Sequence, residues 1–473
     1  MTPTLERLRN LPGAERAYLV GGCVRDALLG RHPRDYDLAV QPPVRPFAEE
    51  VARRIGGRCV DLGKPGRQII RVVSGGLALD LSPINGPGIE ADLLQRDFTI
   101  NALARRLSSM ETVDCTGGRR DLERKTIRMV SSGAFMNDPV RLIRAYRLAA
   151  CLDFRIDPET TRAIRDHAPR ITGAAGERIR IELIKILAVE QAVPWITQMA
   201  RTRLLFHIFP ELAALEDCPQ TRHHDFNVWE HTLRVFEQME AILIGPGEPP
   251  PGPLPVPPDL MEADTPALLK LAALLHDIGK PVTRKEKRSG VAVFHGHASR
   301  GAQMTVDIAW RLKLSTRERE VVTGIVRHHL DPLLLFLNHE KSGNPDIAPS
   351  GRAVARFFLK CGPLAPLVLL HALADHQGKT LSPPLAEDGP IRFFRELLAA
   401  YVTDIQREMT RPPLITGDDL MQVFGLRPGP EFKRILAHVE EARLAREASS
   451  REDGLKVAAA YLAAHGRGPE SGV

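Results

Sequence analysis

The chain has 473 residues, 43% hydrophobic, 26% charged and 5% aromatic. That is too long for one core, so two to four domains are expected. Lys and Arg outnumber Asp and Glu by 64 to 58, with a sequence pI of about 9.0. An excess of six positive charges is small for this size and excludes little, so where the basic residues sit matters more than their sum.

Residues 17 to about 130 alternate between strand-like and helix-like segments. Tyr18-Leu19-Val20 predicts a buried strand, Gly21-Gly22 a turn, and 24–29 a helix stopped by Gly30. Further strands are expected at 35–40, 69–73 and 77–81. From about 135 onward helical patterns dominate, among them 140–152, 178–189, 267–276 and 431–446. The stretch 245–259 is crowded with proline and glycine and cannot continue a helix or strand.

Cys23, Cys59, Cys115, Cys151, Cys218 and Cys361 form no Cys-x-x-Cys pair, which argues against a thiolate zinc site or a disulfide framework. Residues 1–10 carry Glu6, Arg7 and Arg9 and lack a signal-peptide core. Apolar runs such as 364–370 fall short of the ~18–20 residues a membrane span needs. The expectation is a soluble, cytoplasmic protein with no membrane partner.

Asp35-Tyr36-Asp37 carries the first chemistry. Residues i and i+2 of a strand share a face, so two carboxylates converge there, and a divalent cation relieves their repulsion. Mg²⁺ prefers hard oxygen ligands and combines one or two carboxylates with substrate phosphates. Asp80, in Leu79-Asp80-Leu81, is a candidate third acid. Three such groups suit two-metal phosphoryl transfer, with one ion activating a hydroxyl and the other holding a triphosphate. An Asp-x-Asp alone is more often a solvated strand face. Here the preceding strand–Gly-Gly–helix unit offers backbone N–H groups to phosphate, and Arg25 adds a fixed charge.

Leu19-Val20-Gly21-Gly22-Cys23-Val24-Arg25-Asp26 followed by Asp35-Tyr36-Asp37 resembles the signature of the class II tRNA nucleotidyltransferase and bacterial poly(A) polymerase family, within the DNA polymerase β-like superfamily. Arg96-Asp97-Phe98-Thr99-Ile100-Asn101-Ala102 is similar to the family's second motif, which implies recognition of ribose and triphosphate by Arg96, Asp97 and Asn101. Asn137-Asp138-Pro139-Val140-Arg141, continuing through Arg144 and Arg147, is similar to its base-reading motif. Locally, Asp-Pro is a routine helix start. By resemblance, Asp138 and Arg141 read the Watson–Crick edge of cytosine or adenine, so that protein serves as the template. Arg144 and Arg147 join the nucleotide-binding set. Asn137 stands where the family usually has an acid, which weakens the electrostatic half of that device. Gly176-Glu177-Arg178-Ile179 resembles the next motif, a buttressing helix, and Glu177 and Arg178 are expected to be mainly structural. Basic residues from Arg141 to Lys185, with Arg119, Arg120, Arg124 and Lys125, are candidates to hold a tRNA acceptor stem by shape and backbone.

His231, His276-Asp277, His297, His328-His329 and Asp375 follow the order of the HD phosphohydrolase superfamily. Imidazole and carboxylate ligands bind divalent ions and activate water against phosphoesters. The resemblance implies His231, His276, Asp277 and Asp375 on a first ion of unidentified metal, and His297 and His329 on a second. His328 competes with His329. The 245–259 stretch, lying between His231 and His276, is then a loop inside that domain. The segment 415–431 is similar to the carboxy-terminal part of bacterial members.

The expected fold is α+β: a polymerase-β-like α/β nucleotidyltransferase head (1–134), an all-α neck and body for base and RNA binding (135–218), an all-α HD domain (219–385) and a helical tail (386–473). The expected reaction adds C, A or both to the 3′ end of tRNA from CTP and ATP with Mg²⁺, releasing pyrophosphate. Alternatives are poly(A), CC-only or A-only addition. A reading of another class is an HD phosphohydrolase of RNA 2′,3′-cyclic or 2′-phosphate ends. Homodimerisation through the HD domain stays open.

Overall fold

The structure is a computed structural model that describes the chain except residues 1–5, 7, 34, 64–67, 220–226, 246–260, 263, 289–291, 342–350, 380–388 and 466–473. Nearly all of the Pro-rich loop expected at 245–259 lies outside the described residues. The chain divides into two compact units, Met1–Val189 with Pro194–Ile208, and Glu190–Val193 with Phe209–Val473.

The first unit opens with β1 (Ala17–Val20), α1 (Gly22–Leu28), β2 (Tyr36–Val40), α2 (Val44–Ile55), β3 (Arg58–Asp61), β4 (Ile70–Ser74) and β5 (Leu77–Pro83). With β6 (Ala104–Arg106) and β7 (Thr112–Val113) these form one seven-stranded sheet in the order β3-β4-β5-β2-β1-β6-β7. Every pairing is antiparallel except β2 with β5. A parallel pair needs a crossover, and α2, β3 and β4 supply it. The alternation Tyr36-Asp37-Leu38 and Leu79-Asp80-Leu81 puts apolar residues on the buried face and both acids on the other. β2 begins one residue later than expected. Val20, the last residue of β1, pairs with Asp37, and Asp35 precedes the ladder as an exposed bend.

Beyond the sheet the unit is helical, with α3 (Gly133–Asn137), α4 (Val140–Leu152) and α5 (Gly176–Leu187). α4 buries Leu142, Ile143, Ala145, Tyr146, Leu148 and Ala149, which leaves Arg141, Arg144 and Arg147 on its other side. The 3.6-residue period makes that division.

The second unit contains α6 (Val228–Ile244), α7 (Thr265–Leu275), α8 (His297–Arg311), α9 (Thr316–His328) and α10 (Ala365–Gln377). α7 is buried along nearly its whole length, and Lys270 within it is neutralised by Glu240 of α6 at 2.9 Å. The continuous stretch Arg352–Gln377 has the length and hydropathy to cross a membrane, which the short apolar runs did not suggest, yet 72% of its apolar window is buried inside the protein. The tail forms a small core of its own around Ile415, Leu420, Ile435, Val439, Ala458 and Leu462, from a short capped helix and α11 (Pro430–Leu444) and α12 (Arg451–Ala464). All six cysteines are free.

Candidate functional site

In the head, Asp37 and Asp80 are direct partners across the parallel β2–β5 pair. Side chains at such positions stand about 5 Å apart. Asp35, just before β2, lines the same cavity as Asp37, and both it and Asp80 act on the Asp37 carboxyl, so three carboxylates gather. The Asp37 carboxyl is held above the usual range, first by the protein crowded around it and then by Asp80, with Asp35 adding to the effect. Asp80 is not free. Arg71, its partner on β4, grips both its oxygens at 2.7 Å. The sequence reading missed Arg71, although the pairing that brings it there is local, a β4–β5 hairpin closed at Gly75-Gly76.

Gly21 has φ +74° and ψ −134°, a conformation closed to side chains, and a Cβ there meets the Arg96 guanidinium at 3.2 Å. The turn therefore has to be glycine for Arg96 to pass. Arg96 itself is anchored on Asp92 through Nε at 3.0 Å. Arg25 reaches from α1 to Asn101 Oδ1 at 2.7 Å. Asp97 accepts from Asn101 and from Arg144, Arg144 continues to Glu182 at 3.1 Å, and Arg147 meets the other oxygen of Glu182 at 2.6 Å. This ion network lines a cavity of about 620 Å³ that also contains Asp35, Asp37, Gly22 and Arg25. Acids at one end and guanidinium groups along it fit a metal-bound polyphosphate, which needs both.

Asp138 and Arg141 do not pair with each other. Asp138 caps α4 by accepting from Val140 N at 3.2 Å, and Arg178 of α5 holds both its oxygens at 3.0 and 2.7 Å. Burial pushes the Asp138 carboxyl up, but the Arg178 guanidinium outweighs it and keeps the group below the ordinary range. Arg141 donates instead to the Gln95 and Ala134 carbonyls, and its buried Nε has no partner. Arg178, expected to be mainly structural, is thus the charge partner of the proposed base reader.

In the second unit, four imidazoles share one construction. Nδ1 of His231, His276, His297 and His329 faces the backbone carbonyl of Gly378, Ala273, Phe294 and Val326 respectively, at 3.3, 2.9, 2.8 and 2.7 Å. A carbonyl only accepts, so each Nδ1 carries a proton and each Nε2 is turned inward, to the acids and to its neighbours. Those nitrogens converge. Nε2 of His297 and His329 stand 3.3 Å apart, a contact that needs a proton or a metal cation between the two nitrogens. His231 Nε2 lies 3.0 Å from Asp375 Oδ1, and His276 Nε2 3.0 Å from Asp277 Oδ2. Asp277 spans the cluster: Oδ2 faces His231 and His276, and Oδ1 faces His297 at 3.3 Å and His329 at 3.9 Å. Two groups of closely spaced ligand atoms result, His231–His276–Asp277 and Asp277–His297–His329. Backbone-fixed tautomers around shared carboxylates are what metal-binding histidines require, so the residues fit one or two divalent cations. His329 is pushed down to about 3 by burial, then by His276 and His297, and is neutral. His328 turns away to Asp331 at 2.8 Å.

Family models match four segments of the chain. Residues 17–85 and 78–128 match the Poly A polymerase head domain, 153–216 the probable RNA and SrmB-binding site of polymerase A, and 228–376 the HD domain. The chain is 32% identical over 449 residues to the A-adding tRNA nucleotidyltransferase of Deinococcus radiodurans, covering 93% of this chain and 94% of the relative. It is also 32% identical to the CC-adding tRNA nucleotidyltransferase of Thermus thermophilus, covering 92% of each. Its fold superimposes on a CCA-adding enzyme solved with ATP at a TM-score of 0.66, with 23% identity, over 99% of this chain and 96% of that one. The chain is an enzyme of the tRNA nucleotidyltransferase family, with a polymerase-type head and an HD domain.

Proposed function

We propose that this enzyme extends the 3′ end of tRNA without a nucleic-acid template, adding C, A or both from CTP and ATP and releasing pyrophosphate. The observation that carries the reading is a cavity lined by Asp35 and Asp37 together with Arg25, Arg144 and Arg147, with Asp80 paired to Asp37 across the sheet. The names of the relatives, which add A or CC to tRNA, supply the substrate class.

Asp35 and Asp37, with Asp80 held by Arg71 beside them, would hold Mg²⁺, which when bound would lower the pKa of the attacking hydroxyl and neutralise the leaving pyrophosphate. Gly21 and Gly22 let the backbone approach the triphosphate, while Arg25, Arg96, Arg144 and Arg147 supply positive charge along it. Asp97 and Asn101 orient the ribose and are themselves held by Arg144 and Arg25. Asp138 accepts from the exocyclic amine of cytosine or adenine, and Arg141 donates to the adjacent ring position. In this division of labour 1–134 catalyses, 135–218 reads the base and the RNA, 219–385 is the HD domain and 386–473 contacts tRNA. The test is incubation with tRNA ending at the discriminator base, at C or at CC, offering each labelled triphosphate in turn. Extension of none of them overturns the proposal, and the pattern of additions separates CCA, CC-only and A-only enzymes.

The convergent imidazoles support a second activity in the same chain, metal-dependent hydrolysis of RNA 2′,3′-cyclic or 2′-phosphate ends. His231, His276, Asp277, Asp375, His297 and His329 hold the cations. Hydrolysis that survives Asp37→Ala but not Asp277→Ala supports it, and no hydrolysis by the wild-type chain with Mn²⁺ or Ni²⁺ overturns it.

A further inference from the structure

His371 sits among the HD imidazoles, outside the ligand set the sequence pattern gives. It lies on α10, one helical turn before Asp375, and i and i+4 positions share a face. Its ring centroid is 5.1 Å from that of His276 and 5.8 Å from that of His329, close to the 5.2–5.4 Å that separates the other neighbouring rings of the cluster. It is 0% exposed, and neither ring nitrogen has a hydrogen-bond partner.

That isolation sets it apart. The four other imidazoles each spend Nδ1 on a backbone carbonyl, which fixes the tautomer and frees Nε2. His371 keeps both a donor and an acceptor uncommitted in a dry interior, where each unmet group costs about 1–3 kcal/mol. A leucine fills such a place at no polar cost. Asp375 has an oxygen 3.0 Å from His231 Nε2, whereas neither nitrogen of His371 is within hydrogen-bonding distance of any ligand atom, which sets it as an outer group rather than a direct ligand.

We infer that His371 is a positioning residue of the HD metal centre, hydrogen-bonded to an oxygen ligand that completes the cations' coordination and so strengthening their hold. The inference rests on the reading of that centre as a cation site. Outer partners of this kind typically change metal affinity by about 10–100-fold.

The test measures Mn²⁺ binding by electron paramagnetic resonance on the full chain carrying Asp35→Asn and Asp37→Asn, which silences the head. Ions whose uptake is lost on Asp277→Ala define the HD centre. His371→Leu is expected to keep the stoichiometry of that uptake while weakening it about tenfold or more. His371→Gln, which restores a donor and an acceptor, recovers part of the affinity. Thermal melts separate this role from core packing. Without metal, His371→Leu melts at or above the parent, because an apolar group replaces an unpaired polar one, and only its metal-induced rise in Tm shrinks. Wild-type affinity in His371→Leu overturns the inference, as does a loss of stability that is equal with and without Mn²⁺. Absence of Asp277-dependent uptake in the parent overturns the cation reading itself, and the inference with it.

Discussion

Replacing Arg178 with Ala isolates the contribution of a charge pair to base selection. Asp138 has about four lone-pair positions. Val140 N and Arg178 take Oδ1, Arg178 also takes one site on Oδ2, and one position remains for an incoming base amine. With Arg178 gone, only the helix cap restrains the carboxylate, whose terminal torsion is broad and roughly two-fold. The stability cost is small, because the Arg178 side chain is 48% exposed; pairs of that kind contribute at most about 1 kcal/mol. The cost to selection is larger. A hydrogen bond to a charged group contributes about 1.5–3 kcal/mol, so misaiming it lowers kcat/KM for the preferred nucleotide, relative to UTP, by about 10–100-fold. Arg178→Lys does not rescue it, since an ammonium cannot hold two oxygens in a plane. The assay is single-turnover incorporation of each nucleotide into tRNA, with a thermal melt alongside. Selectivity within about twofold of wild type, while Asp138→Ala abolishes it, refutes the argument.

Three further outcomes follow from the geometry. Asp37→Asn abolishes incorporation yet raises the metal-free Tm at pH 7. The folded chain holds the Asp37 proton more tightly than the unfolded one, so its ionised form costs stability above the raised pKa; the gain shrinks as pH falls toward the ordinary carboxylate value of about 3.9, and a lower Tm at pH 7 contradicts it. Glu240→Ala strands the buried Lys270 and removes the acceptor for Ala192 N and Val193 N, costing about 3–5 kcal/mol by denaturant titration; a loss below about 1 kcal/mol refutes the pairing. Gly279→Ala puts a Cβ 2.2 Å from His297 O and 2.7 Å from Gly301 N, so the end of α7 and the start of α8 must part. Asp277-dependent Mn²⁺ uptake falls, and uptake equal to wild type shows that the approach tolerates a methyl group.

What was legible in the sequence was what local periodicity encodes. Asp80 stood out because Leu79-Asp80-Leu81 alternates with period two, whereas Arg141, Arg144 and Arg147 were singled out by resemblance to a family motif, and α4 buries its other side. The edge strands β3 and β7, and β6 between β1 and β7, were not anticipated, being short and weakly patterned. Pairings depend on register, which local pattern does not encode. The antiparallel β4–β5 hairpin sets Arg71 beside Asp80, while the parallel β2–β5 pairing that brings Asp37 to them depends on a crossover that no local pattern announces. Arg178 is 40 residues from the Asp138 it holds. His371, at the end of the apolar run 364–370, belongs to none of the motifs. His329 was preferred to adjacent His328, and helix geometry sends His328 to Asp331 and turns His329 inward.

The two centres handle the repulsion of their acids in the same way. Asp37 and Asp80, about 5 Å apart, repel by about 3 kcal/mol at an effective dielectric of 20. Arg71 cancels one of those charges from within the sheet. In the HD cluster Lys280 lies 2.6 Å from Asp277, and Lys379 lies 3.5 Å from Asp375. Each acid-rich centre thus carries a cation of the chain's own, which lets the carboxylates pack before any metal arrives. The consequence is a ceiling on metal affinity. If the head acids hold a divalent cation, as we propose, that cation would meet a bidentate guanidinium at Asp80, which makes Asp80 the costliest of the three to recruit.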